Sequence, residues 1–141
     1  MASNLHQALL LWGARKMSGD GFQLTGFEGS ADQGGQWNQL PPPFALFGIR
    51  ADACGVRVGD GVIGFAEAKS EEDIDTLHTR EQLRVLGFAR MRDRKTRCPL
   101  YIAVPRTAAY ALDHVLIDLG LIGAQHVRRL HVPSTFLGKR S

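Results

Sequence analysis

Glu67 and Lys69 stand two positions apart in the run GFAEAKS, and Asp52 lies fifteen residues before Glu67. In an extended strand alternate side chains share a face, so Glu67 and Lys69 should point the same way while Ala68 points into the protein. The turn signal Gly59-Asp60-Gly61 separates a strand-like run through Asp52 from the one that carries Glu67. A hairpin at that turn brings the three side chains together. Two carboxylates can hold a hard divalent cation through oxygen, leaving sites for water and a phosphate oxygen. Such a cation polarises a phosphodiester and lowers the pKa of a bound water. A lysine beside it can orient or help deprotonate that water and stabilise charge developing on phosphorus. The plainer alternative is an exposed strand face with an ordinary ion pair.

These residues need elements to position them. Residues 4–17, NLHQALLLWGARKM, predict a helix with Asn4 as cap and Leu5, Leu9, Trp12 and Lys16 at helical spacing, weakened at Gly13. Residues 18–43, rich in Gly and Gln and closed by Pro41-Pro42-Pro43, predict a long functional loop or insertion with a short strand at 22–27. Strand character runs from Phe47 to Val58 and resumes in VIGFAEAK after the turn. Thr79-Arg80-Glu81-Gln82 fits a capping box with Thr79 as cap and Gln82 reaching back, opening a helix to about Arg90. The apolar run Pro99–Val104 predicts a central strand, Thr107–Leu119 an amphipathic helix stopped by Gly120, and His126–Val132 a last strand. The expected fold class is α/β, a mixed central sheet flanked by helices.

The chain has 141 residues, of which 44% are hydrophobic and 22% charged, so one domain with a normal core is expected over residues 1–141. No apolar run is long enough for a membrane helix, and MASNLHQALLLWGARK has neither a basic leader nor a clear cleavage site. A soluble, cytoplasmic protein is therefore expected. Cys54 and Cys98 read as buried thiols. Charge is unevenly spread: Arg80, Arg84, Arg90, Arg92, Arg94, Lys95 and Arg97 cluster on one segment, and Arg128, Arg129, Lys139 and Arg140 near the end, whereas Glu67, Glu71, Glu72, Asp73 and Asp75 form an acidic focus. A basic surface beside an acidic focus suits a protein that holds a polyanion and a metal ion together; a solvated helix face and a charged loop would look the same.

Arg50-Ala51-Asp52 followed by Glu67-Ala68-Lys69, with Gln82 thirteen residues beyond the lysine in TREQLRVLGFA, resembles the core motif of the PD-(D/E)xK nuclease superfamily. The order of elements from Phe44 to Gly120 is similar too, and within the superfamily the short archaeal-type Holliday junction resolvases look most alike. The resemblance implies a restriction-endonuclease-like fold, with Asp52, Glu67 and the Ala68 carbonyl as metal ligands, Lys69 as catalytic lysine and Gln82 as an accessory contact. It implies Mg²⁺, with Mn²⁺ as substitute, and DNA, including branched DNA, as partner of a homodimer. Phosphate contacts would come from Arg80, Arg84, Arg92, Arg94, Lys95 and Arg97. Ala51 replaces the usual proline. Where many resolvase-like members carry a glutamate on the opening helix, this chain offers His6 or Gln7, or Glu28 or Asp32 from the long loop, or the site works without one.

Other patterns read as structural. Gly59-Asp60-Gly61-Val62-Ile63-Gly64 satisfies GxGxxG but leads into a strand, so it reads as a hairpin turn and not as a dinucleotide site. The five histidines show no zinc spacing; His114 is expected half-buried on its helix, and His78 near the glutamine helix is a weaker substrate candidate. Trp37 either anchors its loop or stacks on a base, the anchor being favoured. The function expected is metal-dependent DNA cleavage, with restriction-like or repair nucleases as alternatives within that class. A non-catalytic nucleic-acid-binding module is the alternative outside it.

Overall fold

A computed structural model describes residues 4–29 and 35–137. Asp32, Lys139 and Arg140 lie outside them. Helix α1 (Asn4–Gly19) leads into β1 (Phe22–Phe27); a small hairpin of β2 (Ala45–Leu46) and β3 (Ile49–Arg50) precedes β4 (Ala53–Arg57) and β5 (Ile63–Ala68). Helix α2 (Leu77–Gly87), β6 (Leu100–Pro105), α3 (Ala109–Leu119) and β7 (Val127–Val132) complete the order. The main sheet has five strands in the order β1-β4-β5-β6-β7. β1, β4 and β5 pair antiparallel, whereas β5, β6 and β7 run parallel, joined by the crossovers through α2 and α3. The protein is thus a mixed α/β fold whose sheet is flanked by helices. No helix among the described residues is long and apolar enough to cross a membrane.

Both sheet faces are covered, which explains why β5 and β6 are apolar almost throughout. Phe65, Leu100, Ile102 and Val104 pack with Leu83 and Leu86 of α2 and with Leu112, Val115 and Leu116 of α3. The alternate residues Ala66, Ala68, Tyr101 and Ala103 meet Leu9, Leu10, Ala14 and Met17 of α1. Small residues dominate that second face because α1 lies close to it: a Cβ on Gly13 would sit 3.6 Å from Ala66 and 3.8 Å from Ala103. Gly13 therefore belongs to the buried stripe of α1 and does not interrupt the helix. Cys54 and Cys98 are buried free thiols, as their context suggested.

Several expectations change. The short strand expected at 22–27 forms as β1, and it is an edge strand of the main sheet, in register with β4 from Phe22↔Arg57 to Phe27↔Ala53. Trp37 anchors its segment against Phe27, ring centroids 5.8 Å apart. The continuous strand expected from Phe47 to Val58 is broken into β3 and β4, with Asp52 at the bend between them. Thr76, not Thr79, caps α2: its side chain accepts from the Thr79 N–H at 3.1 Å. Thr79 is already helical, and its hydroxyl donates to the Asp73 carbonyl at 2.6 Å. The helix ends at Gly87, where a Cβ would come within 2.5 Å of Leu121. His114 is exposed and pairs with Asp118 at 3.7 Å.

β1 is locked by a close approach at Gly26, where an added Cβ would fall 2.7 Å from the Pro43 backbone and 2.9 Å from the Cys54 sulfur. Backbone cannot yield as a flexible side chain can. Gly26→Ala should therefore cost about 1–3 kcal/mol in urea unfolding, and a variant as stable as wild type would show that β1 is free to shift.

Candidate active site

The antiparallel pairing of β4 with β5 sets Ala53 opposite Ala66, so Asp52 comes beside Glu67 just as β4 begins. The Asp52 N–H donates to the Ala66 carbonyl at 3.1 Å and to Glu67 Oε1 at 2.9 Å. In return Asp52 Oδ2 accepts from the Ala68 N–H at 2.9 Å. The two carboxylates are thereby tied to each other's strands by backbone donors. Each is fixed before any ligand arrives.

Lys69 follows directly. Its Nζ donates to Gln82 Oε1 at 2.5 Å and lies 3.5 Å from Glu67 Oε2. Gln82 does not reach back to its own helix terminus; buried on the inner side of α2, it turns toward β5 and holds the lysine. From the opposite layer α1 supplies His6, whose Nε2 lies 3.2 Å from Asp52 Oδ2. Asp52, Glu67, Ala68, Lys69 and Gln82 are thus all brought together at one end of the sheet. His6 joins them where the glutamate of the opening helix was sought.

Burial separates the two acids. The Asp52 side chain is 20% exposed, whereas that of Glu67 is 1% and that of Lys69 13% exposed, so the pair is not the exposed ion pair of the plainer alternative. Burial pushes the Glu67 carboxyl well above its ordinary value; Asp52 pushes the same way and Lys69 opposes. Its Oε2 is buried without a hydrogen-bond partner. The His6 imidazole is raised by its hydrogen bond to Asp52, against desolvation and the charge of Lys69. The Ala68 backbone contributes in the same sense as Asp52. His6 therefore sits on the same acceptors that a hard cation would use, and protonated His6 would compete with a cation for them.

Among the described residues no group of three or more His, Cys, Asp and Glu side chains has the spacing of a metal centre. The donors open to a hard cation such as Mg²⁺ are the two carboxylates and the Ala68 carbonyl, and the buried Oε2 of Glu67 fits that use: an acceptor with no donor is costly to bury unless something positive meets it. Glu28, whose N–H donates to the Asp52 carbonyl at 2.9 Å, turns its carboxylate to Arg50 at 3.7 Å.

The basic residues divide. Arg80 is held by Asp75 at 2.8 Å and Asp118 at 3.0 Å, and Arg84 pairs with Glu81. Arg92, Arg94 and Lys95 are exposed on a tight loop organised by Asp93, whose carboxylate accepts from the Lys95 and Thr96 N–H groups and the Thr96 hydroxyl. Arg97 lies over the Phe88 ring at 5.6 Å. Phosphate would have to displace carboxylates from Arg80 and Arg84 but not from the loop. The chain matches no family model, no curated protein and no solved structure.

The raised Glu67 and His6 values have a consequence for stability. A group whose pKa rises on folding contributes stability that is complete below its unfolded value, here 4.5 for Glu67 and 6.5 for His6, and is lost as pH rises through the folded value. With chelator present, wild type should melt lower at pH 8 than at pH 5. Glu67→Gln should melt several degrees above wild type at pH 8, the gain closing below pH 4.5. A difference constant with pH in thermal scans would mean that folding does not raise the Glu67 pKa.

Proposed function

We propose that the chain is a metal-dependent DNA endonuclease with a restriction-endonuclease-like fold, hydrolysing phosphodiester bonds where β4 begins and β5 ends. The observation that carries this reading is the Glu67 carboxylate: buried, beside Asp52, with one oxygen that no donor satisfies and a lysine 3.5 Å away. Lys69 is one positive partner for Glu67, and two neighbouring carboxylates beside a single ammonium group leave negative charge that a cation can meet. The order of helix, edge strand, hairpin, helix, strand, helix and strand supports the same reading, as does a basic loop on the chain that follows α2.

In this reading Asp52, Glu67 and the Ala68 carbonyl hold Mg²⁺, for which Mn²⁺ substitutes. Bound there, the ion supplies Lewis acidity to the phosphate and a water of lowered pKa. Lys69, fixed by Gln82, keeps its ammonium group beside Glu67, where it orients the attacking water and offsets charge growing on the phosphate. His6 holds Asp52 from the α1 side, and a protonated His6 would compete with a cation for that carboxylate. Arg92, Arg94 and Lys95 contact phosphates and confer affinity without sequence preference. Resolution of a four-way junction would take a two-fold homodimer, since each chain has one such site.

Labelled four-way junction, duplex and single-stranded DNA of matched sequence, incubated with Mg²⁺, Mn²⁺ or chelator, test the proposal. Cleavage is expected with either metal and none with chelator. Lys69→Ala and Glu67→Ala should each slow cutting at least about 100-fold while changing DNA affinity by only a few fold. Paired symmetric nicks in the junction would assign junction resolution, and cutting of plain duplex a restriction-like or repair role. Wild-type rates in both variants would remove the mechanism.

A further inference from the structure

The β2–β3 hairpin carries a residue that folding does not explain. Leu46 pairs with Ile49, so Phe47 and Gly48 form a two-residue turn, with φ of 52° and 79°. Both angles are positive, the pattern of a type I′ turn, which favours Asn, Asp or Gly at its first position. A phenylalanine there is strained, and strain of this kind gathers at functional sites. Its ring gains no burial in exchange, being 88% exposed. The most apolar surface of the hairpin is thus held in solvent by a backbone that disfavours it.

Beneath Phe47 runs a groove between the hairpin and the C-terminal half of α2. Its apolar wall is Leu46, Val85, Phe88 and Met91, with Phe88 itself 42% exposed, and its rim carries Arg84, Arg90 and Arg94 against one acid, Glu81. Arg84 is paired with Glu81, but among the described residues neither Arg90 nor Arg94 makes an ion pair; Arg90 donates to the Arg94 carbonyl at 3.1 Å, tying the rim together. An aromatic ring and an apolar floor within a cationic rim match a flat, apolar-faced ligand on a polyanionic backbone. A second copy of this chain, with a net charge of +3, would bring like charge to that rim.

We infer that this groove takes an unpaired nucleobase of the DNA strand, with Phe47 stacked on its face and Arg90 and Arg94 on the flanking phosphates. The inference rests on the nuclease reading for its location. Gln82, which holds Lys69, and Phe88, which lines the groove, lie six residues apart on and just beyond α2, or about 9 Å at 1.5 Å per residue. That is roughly two to three nucleotides at the 3.4 Å rise of a stacked strand. To reach the groove, a strand that crosses the Asp52–Glu67 site wraps around α2 from its inner side, where Gln82 is buried, to the outer side that carries Phe88. A base inside a duplex has both faces stacked on its neighbours, so the contact would favour DNA that is single-stranded, gapped or branched near the cut.

The test is equilibrium binding by fluorescence anisotropy, in chelator so that nothing is cut, of a single-stranded oligonucleotide containing 2-aminopurine and of its fully paired duplex. Wild type, Phe47→Asn and Phe47→Trp are compared, with thermal melts of each. Phe47→Asn relieves the turn, so its melting temperature should equal or exceed that of wild type, while its affinity for the single strand falls roughly five- to hundredfold. Its duplex affinity should change less than twofold, and Phe47→Trp should retain single-strand binding and 2-aminopurine quenching. Unchanged single-strand affinity in Phe47→Asn overturns the inference, as does failure of wild type to bind the single strand. So does a wild-type dimer that Phe47→Asn dissociates without loss of DNA affinity. Cleavage by wild type with intact single-strand binding in Phe47→Asn would sink the groove but leave the nuclease; Phe47-dependent binding without metal-dependent cleavage would do the reverse.

Discussion

A carboxylate buried between a sheet and a helix is expensive, and most of the architecture around Glu67 can be understood as meeting that cost. Water is excluded by α2, whose Leu83 and Leu86 are fully buried against the sheet. One carboxylate oxygen accepts from the Asp52 backbone, a donor that exists there only because β4 starts where the chain bends out of β3. The other faces the Lys69 ammonium. Lysine in turn would be costly to hold against the sheet without a second acceptor, and Gln82 supplies one from α2. Each of these groups is positioned by a different element, so shifting one strand register or helix would strand a charge.

The two layers reach this point by different means. α2 arrives as the crossover between the parallel strands β5 and β6, a connection that parallel pairing requires. α1 reaches the opposite face through small residues: Ala66, Ala68 and Ala103 below it and Gly13 and Ala14 on its underside. Larger side chains there would lift the helix and withdraw His6 from Asp52. Packing volume on one face thereby controls electrostatics at the edge of the sheet.

Charge is sorted by neighbourhood more than by sequence clustering. Arg80 and Arg84, next to each other on α2, are neutralised by Asp75, Asp118 and Glu81, and so act as helix-surface pairs. Beyond the helix, Asp93 spends both carboxylate oxygens on the turn around Lys95 and Thr96, leaving the Arg92, Arg94 and Lys95 side chains in solvent. Runs of like composition thus serve two purposes, one holding the fold together and one presenting positive charge.

The amino-acid sequence by itself determined the element types and most of their limits, because apolar periodicity and turn residues are local signals: α1, β5, β6, α3 and β7 fall within a few residues of their expected bounds. It also singled out Asp52, Glu67, Lys69 and Gln82, since strand alternation and one hairpin turn suffice to bring the first three together. The cap at Thr76 was misplaced to Thr79, two candidate hydroxyls three residues apart being indistinguishable until the Asp73 carbonyl claims one. The short strand expected at 22–27 is β1 (Phe22–Phe27), but its place at the edge of the main sheet beside β4 was not legible, because pairing depends on chain about thirty residues away. Only the tertiary structure decided that Glu67 is buried, that His6 meets Asp52 across 46 positions, that Gln82 faces Lys69 and that Phe47 stands exposed on a strained turn. Burial and long-range contact depend on which layers close over a strand, and no local pattern of residue types records that.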